Sequence, residues 1–466
     1  MIGTLKDAIG ARYVLTGDDA APWGRDWPGT YTSTPLCVAR PGSTAEVAAV
    51  VRACAEAGVP VVPMSGNTGL TGAGKAEGAV VLSVDRLNTI TAIKPDARIA
   101  IVGAGVILSA LHDAAAEHGL MFPLTLGARG SAMIGGLLGT NAGGSNVLKY
   151  GNMRDLCLGL EVVTPTGEVM DLMSELRKDN SGYNLRNLIV GAEGTLGVVT
   201  AAVLKLVPQP AAYATAMVAV PALDDALALL NRLQVETGGA VEAFEYMPRA
   251  YMERHVRLTG KRPPFDTDYD VNLLVELGAT AARDAQPGPD GTVPVVARLE
   301  ALLAEGLETG AVLDAVVAQN EAQRAEMWDR REDAAEITFA TKPFVNNDVA
   351  LPLEQVAVFL DRMKTRLAKV DPDGSELAIA HLGDGNVHYT AYISRDDKAL
   401  YDAVVEAVED VALELGGSFS AEHGVGLSKL NSMARRKDPV ALAMMRSIKA
   451  ALDPKGIMNP GKVLPG

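Results

Sequence analysis

The chain has 466 residues, 42 basic and 57 acidic, and its net charge of −15 argues against nucleic acid or an anionic membrane as a partner. A hydrophobic content of 48% with 21% charged residues is globular, and the length calls for two or three domains rather than one core. No apolar run approaches the ~20 residues of a membrane span, the N-terminus lacks a signal-peptide pattern, and Cys37, Cys54 and Cys157 have no metal-like spacing, so a reducing, cytoplasmic setting is expected.

In chain order, 36–40 reads as a strand, 43–57 as a helix started by Thr44 and Glu46 and ended by Gly58, and 59–63 as the next strand. That unit runs into Met64-Ser-Gly-Asn-Thr-Gly-Leu-Thr-Gly-Ala-Gly74, a loop dense in backbone N–H donors and small hydroxyls. Such a loop either wraps a pyrophosphate or is a plain surface turn. It lacks the Gly-Lys-Ser/Thr ending of a nucleotide P-loop, which excludes an ATPase. Ile99-Ala-Ile-Val-Gly-Ala-Gly105 imitates a dinucleotide fingerprint, but Leu108 stands at the third glycine position and no acidic residue follows at the required distance. A Rossmann domain is therefore rejected. Further glycine-rich stretches at 123–144, 150–155 and 191–197, with strands at 158–163 and 197–207, fit a long ligand threaded through many backbone contacts.

Pro208-Gln-Pro210 marks a boundary. Beyond it we expect helices at 222–236, 294–306, 319–339, 353–369 and 398–415, with strands at 240–247, 269–277 and 311–317. Together these form an α+β cap domain with an antiparallel sheet. The segment Ala378-Ile-Ala-His-Leu-Gly-Asp-Gly-Asn-Val-His-Tyr-Thr-Ala-Tyr-Ile393 reads as a hairpin whose His381 and His388 come to neighbouring positions across the strands. Glu422 and His423 lie together between glycines further on. Two imidazoles and a carboxylate suit zinc or a similar divalent ion with one position open, although a pair of histidines near a turn is commonly just hydrogen-bonded surface. The 452–462 tail reads as extended and turn-rich.

Together VPMSGNTGLTGAG, GARGSAMIGGLLGTNAGG, LRKDNSGYNL, GAEGTLGVVT, HLGDGNVH, SAEHGVG and LDPKGIMNPGK resemble flavoproteins of the vanillyl-alcohol-oxidase type. Their FAD domain is p-cresol-methylhydroxylase-like, and the resemblance is greatest to the D-2-hydroxyacid dehydrogenase branch, which includes D-2-hydroxyglutarate and D-lactate dehydrogenases. It covers nearly the whole chain. The resemblance implies an α+β fold with an FAD-binding domain over 1–210 made of two α/β subdomains. A substrate-binding cap domain with the metal site follows over 211–420, and 421–466 returns to the FAD domain.

By resemblance FAD is held by Ser65, Gly66, Asn67, Thr68, Gly69, Gly130, Ser131, Gly135, Thr140, Gly144, Gly194, Val199 and Asn459. No His or Cys stands in the first glycine loop, so the flavin is expected to be non-covalent. The metal ligands match His381, His388 and Glu422, with zinc favoured and manganese the other fit, and the catalytic base matches His423. The substrate-carboxylate arginine matches Arg331, with Arg330 as the fallback. The plain alternative for Arg331 is an exposed helix residue paired with Glu332 or Glu336.

The expected reaction is oxidation of a D-2-hydroxyacid of the 2-hydroxyglutarate type to the 2-oxoacid, with hydride passing to flavin N5. Where relatives acting on 2-hydroxyglutarate carry a basic residue for the distal carboxylate, this chain has Asn346 and Asn347, and Thr390 replaces an asparagine after the second histidine. D-lactate or another short-chain acid is thus the alternative substrate. A flavin-free zinc hydrolase and a non-catalytic FAD- or metal-binding protein are the readings from other classes. Homodimerisation and the electron acceptor are left open.

Overall fold

Ser43 accepts the amide of Glu46 at 3.2 Å, and Glu46 reaches back to the Gly42 amide at 2.6 Å, so the helix Thr44–Ala57 begins where its sequence provides partners for its free N–H groups. Gly58, in the left-handed region at φ 64°, ends it. The computed structural model describes residues 1–466 and contains two compact units, one of 1–143, 150–208 and 422–466, the other of 144–149 and 209–421.

The first unit holds two main sheets. Val80–Ser83 pairs in parallel with Cys37–Ala39 on one side and Val61–Met64 on the other, and Val14–Leu15 closes an edge. The five-stranded second sheet runs in the order Ile90–Lys94, Ile99–Gly103, Val198–Lys205, Cys157–Val163, Val169–Leu172 and is wholly antiparallel. The fingerprint-like strand Ile99–Gly103 is therefore not part of a parallel dinucleotide-binding sheet. One apolar core, including Val50, Val80, Leu108, Ile134 and Leu160, serves both sheets. The tail turns back to the parallel sheet. Val61 donates to Ile457 O at 2.8 Å, and Asn459 donates to Val61 O at 2.8 Å.

The second unit is built on a seven-stranded antiparallel sheet. Its order is Asp314–Val317, Ala212–Val220, Val271–Ala279, Val241–Pro248, Ser375–His381, Asn386–Tyr392, Phe344–Ala350. Strand alternation divides its side chains between two cores. Phe244, Val275 and Tyr389 face the helices Leu223–Glu236, Pro294–Thr309, Val356–Val370 and Lys398–Glu414. Met247, Leu274 and Ile379 face Arg249–Thr259, Glu321–Glu332 and Ala334–Phe339.

The single helix expected over 319–339 is two helices with Asp333 between them, where its carboxylate meets His255 Nε2 at 3.1 Å and Lys261 Nζ at 3.2 Å. The strands Ala212–Val220 and Phe344–Ala350 and the helices Arg249–Thr259 and Pro439–Leu452 have no counterpart in the sequence reading. No helix is long and apolar enough to cross a membrane.

Candidate active site

In the first unit the glycine-rich loops approach one another more closely than side chains permit. A Cβ at Gly66 would lie 2.1 Å from Ser131 O, one at Gly194 would lie 3.0 Å from Pro63, and one at Gly135 would meet Ala104 Cβ at 2.9 Å and Ser65 Oγ at 3.2 Å. Gly69 and Gly130 are the reverse case, exposed and with nothing within 4 Å of their Cβ positions. Close backbone approach at some glycines and open backbone at others suit a ligand held by amides.

The tail contributes Asn459, which is buried. Its Nδ2 donates to Glu193 O at 2.7 Å and Ala73 O at 3.2 Å, while its Oδ1 is buried without a partner. Thr140 and Ser131 spend their hydroxyls locally, on Gly136 O and Ala128 O, and the Val199 side chain belongs to the apolar core. Gly144 lies in the short segment assigned to the second unit.

Glu422 and His423 begin the last segment of the first unit, both half-buried, with Glu422 Oε1 3.9 Å from His423 Nε2. The loop that follows is fastened by Glu193, whose two oxygens accept the amides of Val425 at 2.7 Å and Gly426 at 2.9 Å. Burial raises the Glu193 pKa, and the two amides offset this only in part. Thr71 adds a second hold, its carbonyl accepting Leu427 N at 2.8 Å.

In the second unit the hairpin forms as its glycines predict, Ser375–His381 and Asn386–Tyr392 joined by four residues. The register sets His381 opposite Asn386 and His388 opposite Ile379, so the imidazoles are diagonal neighbours on one face with ring centroids 5.4 Å apart. Asp348 pairs with His388 across the other ladder, its Oδ1 3.7 Å from His388 Nδ1. Asp348 is buried and accepts Asn386 Nδ2 at 2.8 Å and the amide of Ala421 at 3.1 Å.

Arg331 is buried at the end of Glu321–Glu332 and does not pair with Glu332 or Glu336. Its Nε donates to Glu245 Oε2 at 2.7 Å, and Nη2 lies 3.5 Å from the His381 ring nitrogens. Arg330 points elsewhere, to Arg262 O at 2.8 Å. Glu245, fully buried, also accepts His381 Nδ1 at 2.9 Å. Burial pushes its pKa up, but the charges of His381 and Arg331 together outweigh that and leave it below the usual carboxylate range. On the same face Thr390 Oγ1 donates to Asn346 Oδ1 at 2.9 Å.

The family of FAD linked oxidases, C-terminal domain, matches residues 209–463, and the FAD binding domain family matches 35–173. The chain belongs to the FAD-linked oxidases, in their D-2-hydroxyacid dehydrogenase branch. It is an FAD-dependent oxidoreductase. A D-2-hydroxyglutarate dehydrogenase of Xanthomonas citri pv. viticola is 37% identical over 99% of this chain and 96% of the relative. The mitochondrial D-2-hydroxyglutarate dehydrogenase of Bos taurus is 33% identical over 100% of this chain and 83% of its own. The crystal structure of p-cresol methylhydroxylase with substrate bound superposes with a TM-score of 0.73 at 17% identity, over 99% of this chain and 95% of that one, which shows the shared fold. The unpartnered Asn459 Oδ1 and the open backbone at Gly69 and Gly130 fit FAD as the ligand of these loops.

Sequence reasoning passed over both Glu245 and Asp348. Glu245 is an acid inside the largely apolar strand Val241–Pro248, and that is a signal in itself, because a buried carboxylate needs a partner, whereas Asp348 follows Asn346 and Asn347 in a stretch too polar to stand out.

Proposed function

We propose that this oxidoreductase converts a D-2-hydroxyacid to its 2-oxoacid, with D-2-hydroxyglutarate the leading substrate. The observation that carries the reading is the convergence of Arg331, His381, His388 and two buried carboxylates on one face of the second unit's sheet. Relatives named D-2-hydroxyglutarate dehydrogenase support it.

Bound FAD, held without a covalent link by the glycine loops and Asn459, supplies the two-electron acceptor for the substrate's C2 hydrogen. Arg331 binds the substrate carboxylate through its Nη edge, since Nε is already engaged by Glu245. An imidazole nitrogen of His423 takes the hydroxyl proton as the C2–O bond becomes a carbonyl. His381, His388 and Glu422 are the proposed ligands of a divalent ion, zinc or manganese, which would act as a Lewis acid on the hydroxyl. Chain continuity supports including Glu422. The amide of Ala421, one residue earlier, is bonded to Asp348, the cross-strand partner of His388.

A second reading, a short-chain acid such as D-lactate, is favoured by the uncharged Asn346–Thr390 pair beside the histidine row. Cytoplasmic location, a homodimer and a separate electron acceptor complete the proposal. The test is anaerobic flavin bleaching with paired D and L enantiomers of lactate and 2-hydroxyglutarate. Bleaching by D enantiomers alone supports the reading, and the faster acid decides chain length. Equal bleaching by L enantiomers would overturn it.

A further inference from the structure

Glu245 stands in the strand Val241–Pro248 with its side chain fully buried, on the sheet face that carries the histidines. An ionised carboxylate only accepts hydrogen bonds, so the 2.9 Å contact requires His381 Nδ1 to carry the hydrogen. In neutral imidazole the lone pair is then on Nε2. The same carboxylate takes Arg331 Nε at 2.7 Å, which fixes the plane of the guanidinium and leaves its far edge as the part able to meet a ligand. One anion thereby orients both a candidate metal ligand and a candidate substrate cation.

We propose that Glu245 is a positioning residue shared by the metal site and the substrate-carboxylate site, so that its loss weakens both kinds of binding together. The proposal rests on the reading of His381 and Arg331 given above. Carboxylates that hold the distal nitrogen of a metal-bound histidine fix its tautomer and raise its basicity. Here the same carboxylate also holds the arginine. Glutamine has the shape of glutamate but a single acceptor oxygen, so Glu245→Gln sets an N–H against either His381 Nδ1–H or Arg331 Nε–H.

The same sheet face provides a comparison. Glu276 is also buried, and it accepts Thr215 Oγ1 at 2.6 Å, Arg324 Nε at 2.7 Å and Trp328 Nε1 at 2.8 Å, none of them a site residue. If buried acids of this face only stabilise the sheet, Glu245→Gln and Glu276→Gln behave alike.

The experiment uses FAD-loaded full-length protein. Zinc affinity is read by chelator competition, and affinity for 2-oxoglutarate and pyruvate by anaerobic perturbation of the flavin spectrum. Glu245→Gln is expected to weaken zinc about 10- to 100-fold and to weaken the better-bound oxoacid about tenfold, with FAD content unchanged. Glu245→Asp, which keeps the charge but is shorter, is expected to fall between, and it replaces Glu245→Gln if that variant does not fold. Glu276→Gln is expected to lower the melting temperature and leave both affinities as in the unmodified protein. A folded Glu245 variant that binds zinc and oxoacid as the unmodified protein does overturns the proposal. His388→Ala separates this from failure of the metal reading itself. If that variant also keeps its zinc, the metal reading is wrong, whereas if it loses zinc while Glu245→Gln does not, only the role of Glu245 is wrong.

Discussion

Gly66→Ala tests the flavin-binding loops at the point where they are tightest. The new Cβ would lie 2.1 Å from Ser131 O, 3.0 Å from Ser131 C and 3.2 Å from Ala132 Cα, all backbone atoms that no rotamer change can move. Full relief needs a backbone shift of about 1.4 Å or more, because non-bonded heavy atoms settle at ~3.5–4.0 Å and the new contact starts at 2.1 Å. Overpacking of this kind costs about 1–3 kcal/mol. If that strain is felt in the arrangement that binds FAD, affinity falls about 5- to 150-fold at 1.4 kcal/mol per factor of ten. The assay is titration of the apoprotein with FAD, followed by quenching of flavin fluorescence, with the melting temperature of the apoprotein measured alongside. Gly69→Ala is the companion, since nothing lies within 4 Å of its Cβ. It is expected to leave the apoprotein melt unchanged and to weaken FAD only through contact with the bound ligand. Normal FAD affinity and melt in Gly66→Ala would refute the close approach of the two loops.

Arg331→Lys keeps the charge but not the fork, and kcat/KM is expected to fall about 10- to 100-fold; unchanged steady-state kinetics would remove Arg331 from the site. His423→Ala should keep metal and FAD while flavin reduction slows about 10²–10⁴-fold, whereas Glu422→Ala should lose metal and recover in part with excess zinc. Metal analysis showing the opposite pattern would exchange the two roles. His255 is buried, and burial first of all holds its pKa below the ordinary histidine value, with the Asp333 hydrogen bond opposing. As pH falls through the unfolded value of about 6.5, the unfolded chain takes a proton that the folded chain refuses, so stability declines from there down to the lowered folded pKa. Chemical denaturation at a series of pH values should show this decline, and His255→Phe should flatten it; an unaltered slope in that variant would contradict the assignment.

Elements that obey local rules could be read directly from the sequence. The Ser43-capped helix, the hairpin with its Gly-Asp-Gly centre, and the other strands of the antiparallel cap sheet apart from Ala212–Val220 and Phe344–Ala350 follow from periodicity and turn chemistry. Phe344–Ala350 escaped because Asn346, Asn347 and Asp348 are poor strand formers. Their polarity is explained in part by what Asn346 and Asp348 face, Thr390 and His388 across the ladder. Ala212–Val220 escaped for the opposite reason, being nearly continuously buried and so without alternation. The break at Asp333 depends on His255 and Lys261, far away in sequence, and no local signal carries it. The same holds for Glu245, whose partners His381 and Arg331 are brought to it only by the sheet and the helix packed on it. Local patterning marks where chemistry resides, and tertiary contacts decide which buried acid orients it.

In the proposed reaction, oxidation of the acid and reduction of the flavin are one event. Its most direct measurement is the stoichiometry of a single anaerobic turnover, with FAD followed by absorbance and the 2-oxoacid quantified after quenching with acid. One 2-oxoacid should form per FAD bleached, from the D enantiomer only. Flavin bleaching without 2-oxoacid, or 2-oxoacid formed while the flavin stays oxidised, would contradict it.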